Sequence, residues 1–504
     1  MKMFGLIYNE IIKIVKKTSF KICVILMFLF TILISVLFDW AFDSGTTYLY
    51  SDIDLEVVQE EIIDKPSSDT EFLINDINNF KVSVIEDSIA KGEEYSSFKL
   101  NLCDEYINKK IELLTIDYLL KGKKIDFSLI DDYFYSDVSS FGSLDKNELV
   151  DFYENLDKEV SILSRVIQEN DYKWYLNREI ELLKNGELGE IELLRIKTYE
   201  KLISLNVTNP NDKRILIAED IVDLYSQKEE TIDEAEYLKS NFSTDYDVYV
   251  KINEAKNKSI DEEIEISWYA LENNINTSLD SKSFFKDSIT NSFIFISLIV
   301  VIVAGGIISN EFQKGTIRLL LIRPNKRYKV LLSKILSILI IAFVLGVISY
   351  ILSFILNGIL FGFKAYFVPD LVYTSSGVVE KSFIFNSLSY IFILMVPIIF
   401  ITIFSVFLSV LINSTSFSVG FSIFLLIGYQ LIMLLLSSLG ISFLDYTFLP
   451  YMDFSQFLSS AYLDNCFMYG IYFNLFKACL VIILWSFVFY FIANLVFVKK
   501  DIKN

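Results

Sequence analysis

Six apolar runs punctuate the chain: Phe20–Phe38, Ile289–Ile308, Val330 to Ile351 or beyond, Leu388–Leu411, Phe417–Leu439 and Ile471–Val496. A run of roughly 20 apolar residues is long enough to cross a bilayer as a helix, so six transmembrane helices are predicted. Ahead of the first run, residues 1–18 alternate with helical period. Phe4, Ile7, Ile11, Ile14 and Val15 recur at spacings of three and four, and Lys13, Lys16 and Lys17 take the other side. A basic amphipathic helix of this kind lies in the membrane interface, its lysines near anionic headgroups. Phe20–Phe38 leads into Asp39-Trp40 with no small-residue cleavage site, so the run is read as an anchor rather than a signal peptide.

Between the first and second runs the pattern changes. Residues 43–287 are polar, poor in Gly and Pro, and carry stripes such as Tyr106, Ile107, Ile111, Leu114 and Tyr118 at helical spacing. A mostly α-helical domain is predicted, with breaks near Pro66-Ser67-Ser68, Gly142-Ser143, Gly186 to Gly189 and Asn209-Pro210-Asn211. Ser143, followed by Asp145 and Glu148, reads as a helix start. The expected division is an interfacial helix at 1–18, a first span at 19–42, this acidic domain at 43–287, and spans two to six within 288–504.

Charge sharpens that division. The chain has 504 residues and a net charge of −19 although 53 % of it is hydrophobic. Residues 43–287 hold 55 Asp and Glu against 27 Lys and Arg, while the remainder holds 9 against 18. One acidic insertion therefore interrupts a basic membrane protein. Five lysines at or before the first span, and Lys499-Lys500 after the sixth, place both termini in the cytoplasm by the positive-inside rule. Residues 43–287 are then extracytoplasmic. Paired acids such as Asp131-Asp132 and Asp261-Glu262-Glu263 match no calcium loop and read as solvated helix faces. Their combined field would concentrate cationic ligands.

Candidate chemistry is sparse. The sequence has no histidine, which removes His-based triads, HExxH zinc sites and a histidine proton relay. Cys23, Cys103, Cys466 and Cys479 show no metal-ligand spacing, and a Cys103–Cys466 disulfide, open to two outside residues, has nothing else to place it. No GxxxxGK[ST] phosphate loop occurs, so nucleotide hydrolysis is not expected of this chain.

The most informative stretch is Asn310 to Lys334. Lys314, Arg318, Arg323, Lys326, Arg327, Lys329 and Lys334 face one acid, Glu311. Gly315 permits a sharp exit from the second span, Thr316 can cap the next turn, and Pro324 stops the short apolar helix predicted over Ile317–Ile322. Glu311, Gly315-Thr316, Arg318, Leu320-Leu321, Pro324, Arg327 and Lys334 resemble the signature that follows the second span in type-2 ABC transporter permeases. The resemblance covers this loop and the six-span layout, about half of the chain.

The resemblance implies an all-α, multi-pass bacterial cell-membrane protein. It implies a separate ABC ATPase subunit that binds ATP, with no cofactor on this chain, and a second permease copy or paralogue as dimer partner. Membrane lipids are expected partners and nucleic acid is not. The loop 310–329 would be the coupling loop, with Glu311, Gly315, Thr316, Arg318, Pro324 and Arg327 transmitting ATPase motion. An amphipathic substrate, peptide, drug or lipid-like, would be exported. The large outer insertion departs from many members, leaving substrate and direction open. Two other readings stand beside it: a membrane-anchored sensor or secretion-accessory protein whose outer domain binds a ligand, and an ion-coupled carrier. The carrier is disfavoured because the interiors of spans two to five contain no Asp, Glu, Lys or Arg beyond Lys334 at the inner edge.

Overall fold

The computed structural model describes residues 3–43, 49–91, 97–134, 138–186, 188–210, 212–241, 246–275, 281–316, 326–412, 414–439 and 442–499. Two compact units divide the chain: residues 1–40 with 223–504, and residues 41–222. The rest of the acidic stretch, from 223 onward, falls in the first unit.

The first unit opens with α1 (Met3–Lys16) and α2 (Thr18–Asp43). Its long apolar helices further on are α12 (Ser281–Gly305), α14 (Arg327–Phe361), α15 (Phe383–Leu411), α16 (Thr415–Ser438) and α18 (Leu475–Lys499). The five-residue α13 (Ser309–Gln313) follows α12 and the eight-residue α17 (Tyr462–Tyr469) precedes α18. Among the described residues six helices are long and apolar enough to cross a membrane: α2, α12 with its continuation, α14, α15, α16 and α18. The chain is membrane-embedded. At 1.5 Å per residue, α14 is roughly 50 Å long and outreaches a hydrocarbon core of about 30 Å.

Among the six, α12 is the most buried and α16 the least. Small polar residues explain how α12 takes the centre. Thr31 and Ser292 hydroxyls meet at 2.9 Å, Ser35 and Ser288 at 3.2 Å, and Asn357 donates to the Ser288 hydroxyl at 3.0 Å. In an apolar surround such bonds join α2, α12 and α14 where lipid-like side chains alone give little preference. Gly305 lets α16 approach: a Cβ there would stand 3.1 Å from the backbone N and Cα of Val419. The absent side chain is what permits this contact.

The fold is mostly helical rather than wholly α. In the connection after α14, β1 (Asp370–Thr374) pairs antiparallel with β2 (Gly377–Lys381), Val372 opposite Val379. Ser375-Ser376 form the tight turn, and Gly377 takes the positive φ, 100°, that closes it. The run Leu371-Val372-Tyr373 is short enough to be read as loop, yet its β-branched and aromatic residues suit a strand. Tyr269 of α11 (Tyr246–Asn273) donates to Glu380 at 3.1 Å, holding the hairpin against that helix.

The regular elements among the described residues of the second unit are all helices. It contains α3 (Asp52–Glu60), α4 (Asp69–Lys91), α5 (Ser97–Leu120), α6 (Phe127–Phe134), α7 (Lys146–Glu169), α8 (Tyr172–Asn185) and α9 (Glu190–Ser204). The helix α10 (Lys213–Asn241) starts in it. The stripe on α5 enters the core: Ile111 is buried and Tyr106, Ile107, Leu114 and Tyr118 pack against the same cluster as Leu73, Ile77 and Val160. Asp145, not Ser143, caps α7. Its carboxylate accepts from the Asn147 and Glu148 N–H groups, and Glu148 answers by accepting from the Asp145 N–H at 2.8 Å. Among the described residues no disulfide joins any of the four cysteines. Cys466 is buried in α17 with its sulfur between the Phe473 N–H and C=O.

Candidate functional site

Among the described residues Lys334 is the one charged side chain with no solvent exposure at all, and it organises the end of the first unit where α1, α13 and α14 meet. Its ammonium donates to Glu10 Oε2 at 3.0 Å and to Glu311 Oε1 at 2.8 Å. Lys13, one turn along α1, donates to the other oxygen of Glu10 at 2.7 Å and stands 3.9 Å from Glu311. Two cations and two carboxylates thus alternate along a short chain. A buried ammonium left alone would be very costly, and two carboxylates from separate segments offset that cost only in this geometry.

Local sequence sets each member. Glu10 lies on the face of α1 that also buries Ile14, so the helix turns its one acid inward. Phe4, Tyr8 and Val15 point outward instead, although the spacing groups Phe4 and Val15 with the buried isoleucine. Ser337, one turn beyond Lys334, donates to the Ile7 carbonyl at 3.1 Å and fixes the register of α1 on α14. Burial pushes the Glu10 carboxyl up, but Lys334 and Lys13 together more than offset this and hold it below the ordinary carboxylate value. Lys17, where α1 passes into α2, is held below the ordinary lysine value by burial and by the Lys334 charge.

Glu311 is positioned from the other side. The Ile308 and Ser309 N–H groups donate to Ser409 Oγ at 3.1 and 2.9 Å, pinning α13 to the end of α15. Thr415, at the start of α16, donates to Gln313 Oε1 at 2.7 Å. Gly315 then takes a left-handed φ of 66°, ending the helix as its lack of a side chain allows. The second carboxylate oxygen of Glu311 is buried with no hydrogen-bond donor among the described residues. A cleft of about 660 Å³ opens beside the cluster, with Lys13, Lys17, Lys314 and Asn310 among its walls.

Of the residues singled out in the sequence, Glu311 joins the cluster directly. Gly315 and Thr316 follow it, the Thr316 hydroxyl donating to the Glu311 carbonyl at 3.4 Å. Arg327 begins α14 and donates to the Val498 carbonyl at 2.8 Å, tying the loop to the end of α18. Arg318 and Pro324, with the helix expected over Ile317–Ile322, lie outside the described residues. Glu10, Lys13, Ser337 and Ser409 were not visible as partners. The available signal was a lone acid in a basic, apolar helix and a lone cation in an apolar run, each needing the other.

Residues 252–503 match the family described as "Protein of unknown function (DUF2705)". The chain belongs to this family. The match takes in Glu311 and Lys334 and leaves Glu10 outside it. Two relatives from Bacillus subtilis (strain 168) are similar over shorter stretches. The "Uncharacterized protein YhcI" is 30 % identical over 171 residues, 33 % of this chain and 54 % of that protein. The "Uncharacterized membrane protein YdbK" is 42 % identical over 52 residues, 10 % of this chain and 21 % of that protein. The chain therefore spans about half the length of the first relative and a fifth of the second.

Proposed function

We propose that this DUF2705 protein is the membrane-spanning permease subunit of an ATP-driven ABC transporter, resembling the type-2 permeases, and that it exports an amphipathic substrate. The observation that carries the reading is the Lys334 cluster. A partner pressing on the loop 310–329 would act on Glu311, and through Lys334 would move α14 and α1 together. Three segments joined by one buried cation respond as one body, which is what transmission from an external motor requires.

In this reading the ATPase subunit binds the ATP, a second copy or paralogue completes the transporter, and the loop lies on the cytoplasmic side. Residues 43–287 stand on the opposite side, and α1 lies along the inner interface with Phe4, Tyr8 and Val15 toward lipid. The basic walls of the cleft, Lys13, Lys17 and Lys314, suit carboxylates on a docking subunit. Glu311, Gly315, Thr316, Arg318, Pro324 and Arg327 are the transmitting residues.

The deciding experiment reconstitutes the chain with purified ATPase subunits encoded beside it and follows complex formation and ATPase rate. A stable complex, with ATPase stimulation lost in Lys314→Glu and Lys334→Met while the variants remain folded, supports the permease. If no ATPase binds and both variants behave as wild type, the chain is better read as a membrane-anchored sensor or secretion-accessory protein.

A further inference from the structure

The second unit holds a pocket of about 430 Å³, within the range of small-ligand sites. Three helix faces and one aromatic ring build it. From α4 come Lys81 and Ile85, one turn apart; from α5 come Asp104, Ile107 and Ile111, along one stripe; α3 contributes Asp54, Val57 and Val58. Phe134 of α6 closes one side, and Ile85, Ile111 and Phe134 are buried beneath the opening. Each long wall therefore carries one ionic group followed by apolar surface.

Three ionic groups line the pocket: Asp54, whose carboxylate accepts from the Ser51 N–H and hydroxyl, and Lys81 and Asp104, which lack an ion-pair partner among the described residues. Lys81 is half-buried with its ammonium 4.4 Å from the centre of the Phe134 ring, and no carboxylate among the described residues lies within salt-bridge distance. Burial holds it below the ordinary lysine value, with Glu61 a weaker, opposing influence. Burial also raises the Asp104 carboxyl, and among the described residues no cation or donor acts against it. The two are not paired with each other although they share one pocket. A cation over an aromatic face beside apolar surface remains attractive to a carboxylate, and a carboxylate on the same rim to an ammonium.

We propose that this pocket binds a small zwitterion with an apolar body: its carboxylate at Lys81, its ammonium at Asp104, and its side chains over Ile85, Ile111 and Phe134. Charge selects this class. A plain anion would meet the surplus of acids over the whole stretch 43–287, and a plain cation would meet Lys81. A molecule with both charges answers both groups. Apolar amino acids and short apolar peptides share that chemistry.

The test uses the full chain in detergent, with binding of leucine and leucyl-leucine followed calorimetrically. N-acetyl-leucine lacks the ammonium and leucinamide lacks the carboxylate. The expected result is saturable binding of leucine or leucyl-leucine, the stronger of the two identifying amino acid or peptide. Each single-charge analogue, and each of Lys81→Met and Asp104→Asn, then binds about tenfold more weakly or worse, as loss of one charge-assisted contact implies. Both positions are at the pocket rim, and unchanged thermal unfolding shows that each variant is folded. Three outcomes overturn the proposal: no saturable binding of either zwitterion, equal binding of a single-charge analogue, or affinity unchanged in both variants.

Discussion

Lys334 and Glu10 stand 324 positions apart in the chain and 3.0 Å apart in space, and the contact is buried. Removing Lys334 leaves Glu10 held by Lys13 alone and takes from Glu311 the ammonium bonded to its Oε1. Lys334→Met is therefore expected to destabilise the protein by about 3–5 kcal/mol, the usual cost of orphaning a buried charge. A Glu10→Gln/Glu311→Gln/Lys334→Met triple variant should recover much of this, because nothing charged is then left buried. Thermal unfolding in a mild detergent reads the difference. Equal loss in the single and triple variants would show that the cluster acts through packing alone.

The same pair sets a pH dependence. Lys334 and Lys13 outweigh burial and hold the folded Glu10 carboxyl below its ordinary value of 4.5. A carboxylate whose folded value lies below its unfolded one adds stability above the unfolded value and loses it as pH falls through the folded one. The contribution is thus complete at neutral pH and fades below 4.5. The unfolding midpoint should fall more steeply on acidification in the wild type than in Glu10→Gln. Parallel curves for the two proteins would reject the assignment.

Gly305 and Gly420 give a matched contrast within the membrane unit. A Cβ at Gly305 would lie 2.9 Å from Val419 Cγ2 and 3.1 Å from that residue's backbone, whereas a Cβ at Gly420 meets nothing within 4 Å. Gly305→Ala has to move one helix backbone against another, at a cost of about 1–3 kcal/mol. Gly420→Ala adds a better helix former in open space, and is expected to gain up to about 1 kcal/mol. Unfolding midpoints that shift in opposite directions bear this out; a loss of similar size at both sites does not.

How much of this was legible depended on the range of the information. The six apolar helices follow from runs of twenty or so residues, each a local property; most ends fell within five residues of the expected ones, but the second helix starts at Ser281 rather than Ile289 and the third runs on to Phe361. The stripe around Ile111 and the start of α7 at Asp145 are also local. The Lys334 cluster is not. Its members come from α1, α13 and α14, and nothing in either flank of Glu10 names position 334. The hairpin at 370–381 escaped for a different reason: five-residue strands are too short for a period to register. The inward turn of Glu10, against the amphipathic pattern of α1, is tertiary contact overriding local preference.

The second unit offers a prediction of its own, at the contact between α5 and α8. The two terminal guanidinium nitrogens of Arg178 donate to the two oxygens of Glu105, the Nη1 bond measuring 2.6 Å, and the same guanidinium lies 5.4 Å from the Trp174 ring centre. The pair is about a quarter exposed, so solvent weakens it without removing its geometry. A lysine keeps the charge but not the planar fork or the stacked face. Arg178→Lys should therefore cost about 1 kcal/mol, and Glu105→Gln a similar amount, with the double variant close to either single one because one interaction is being removed twice. Denaturant or thermal unfolding of the four proteins gives the coupling directly. Strictly additive losses would mean that Arg178 acts through Trp174 and not through Glu105.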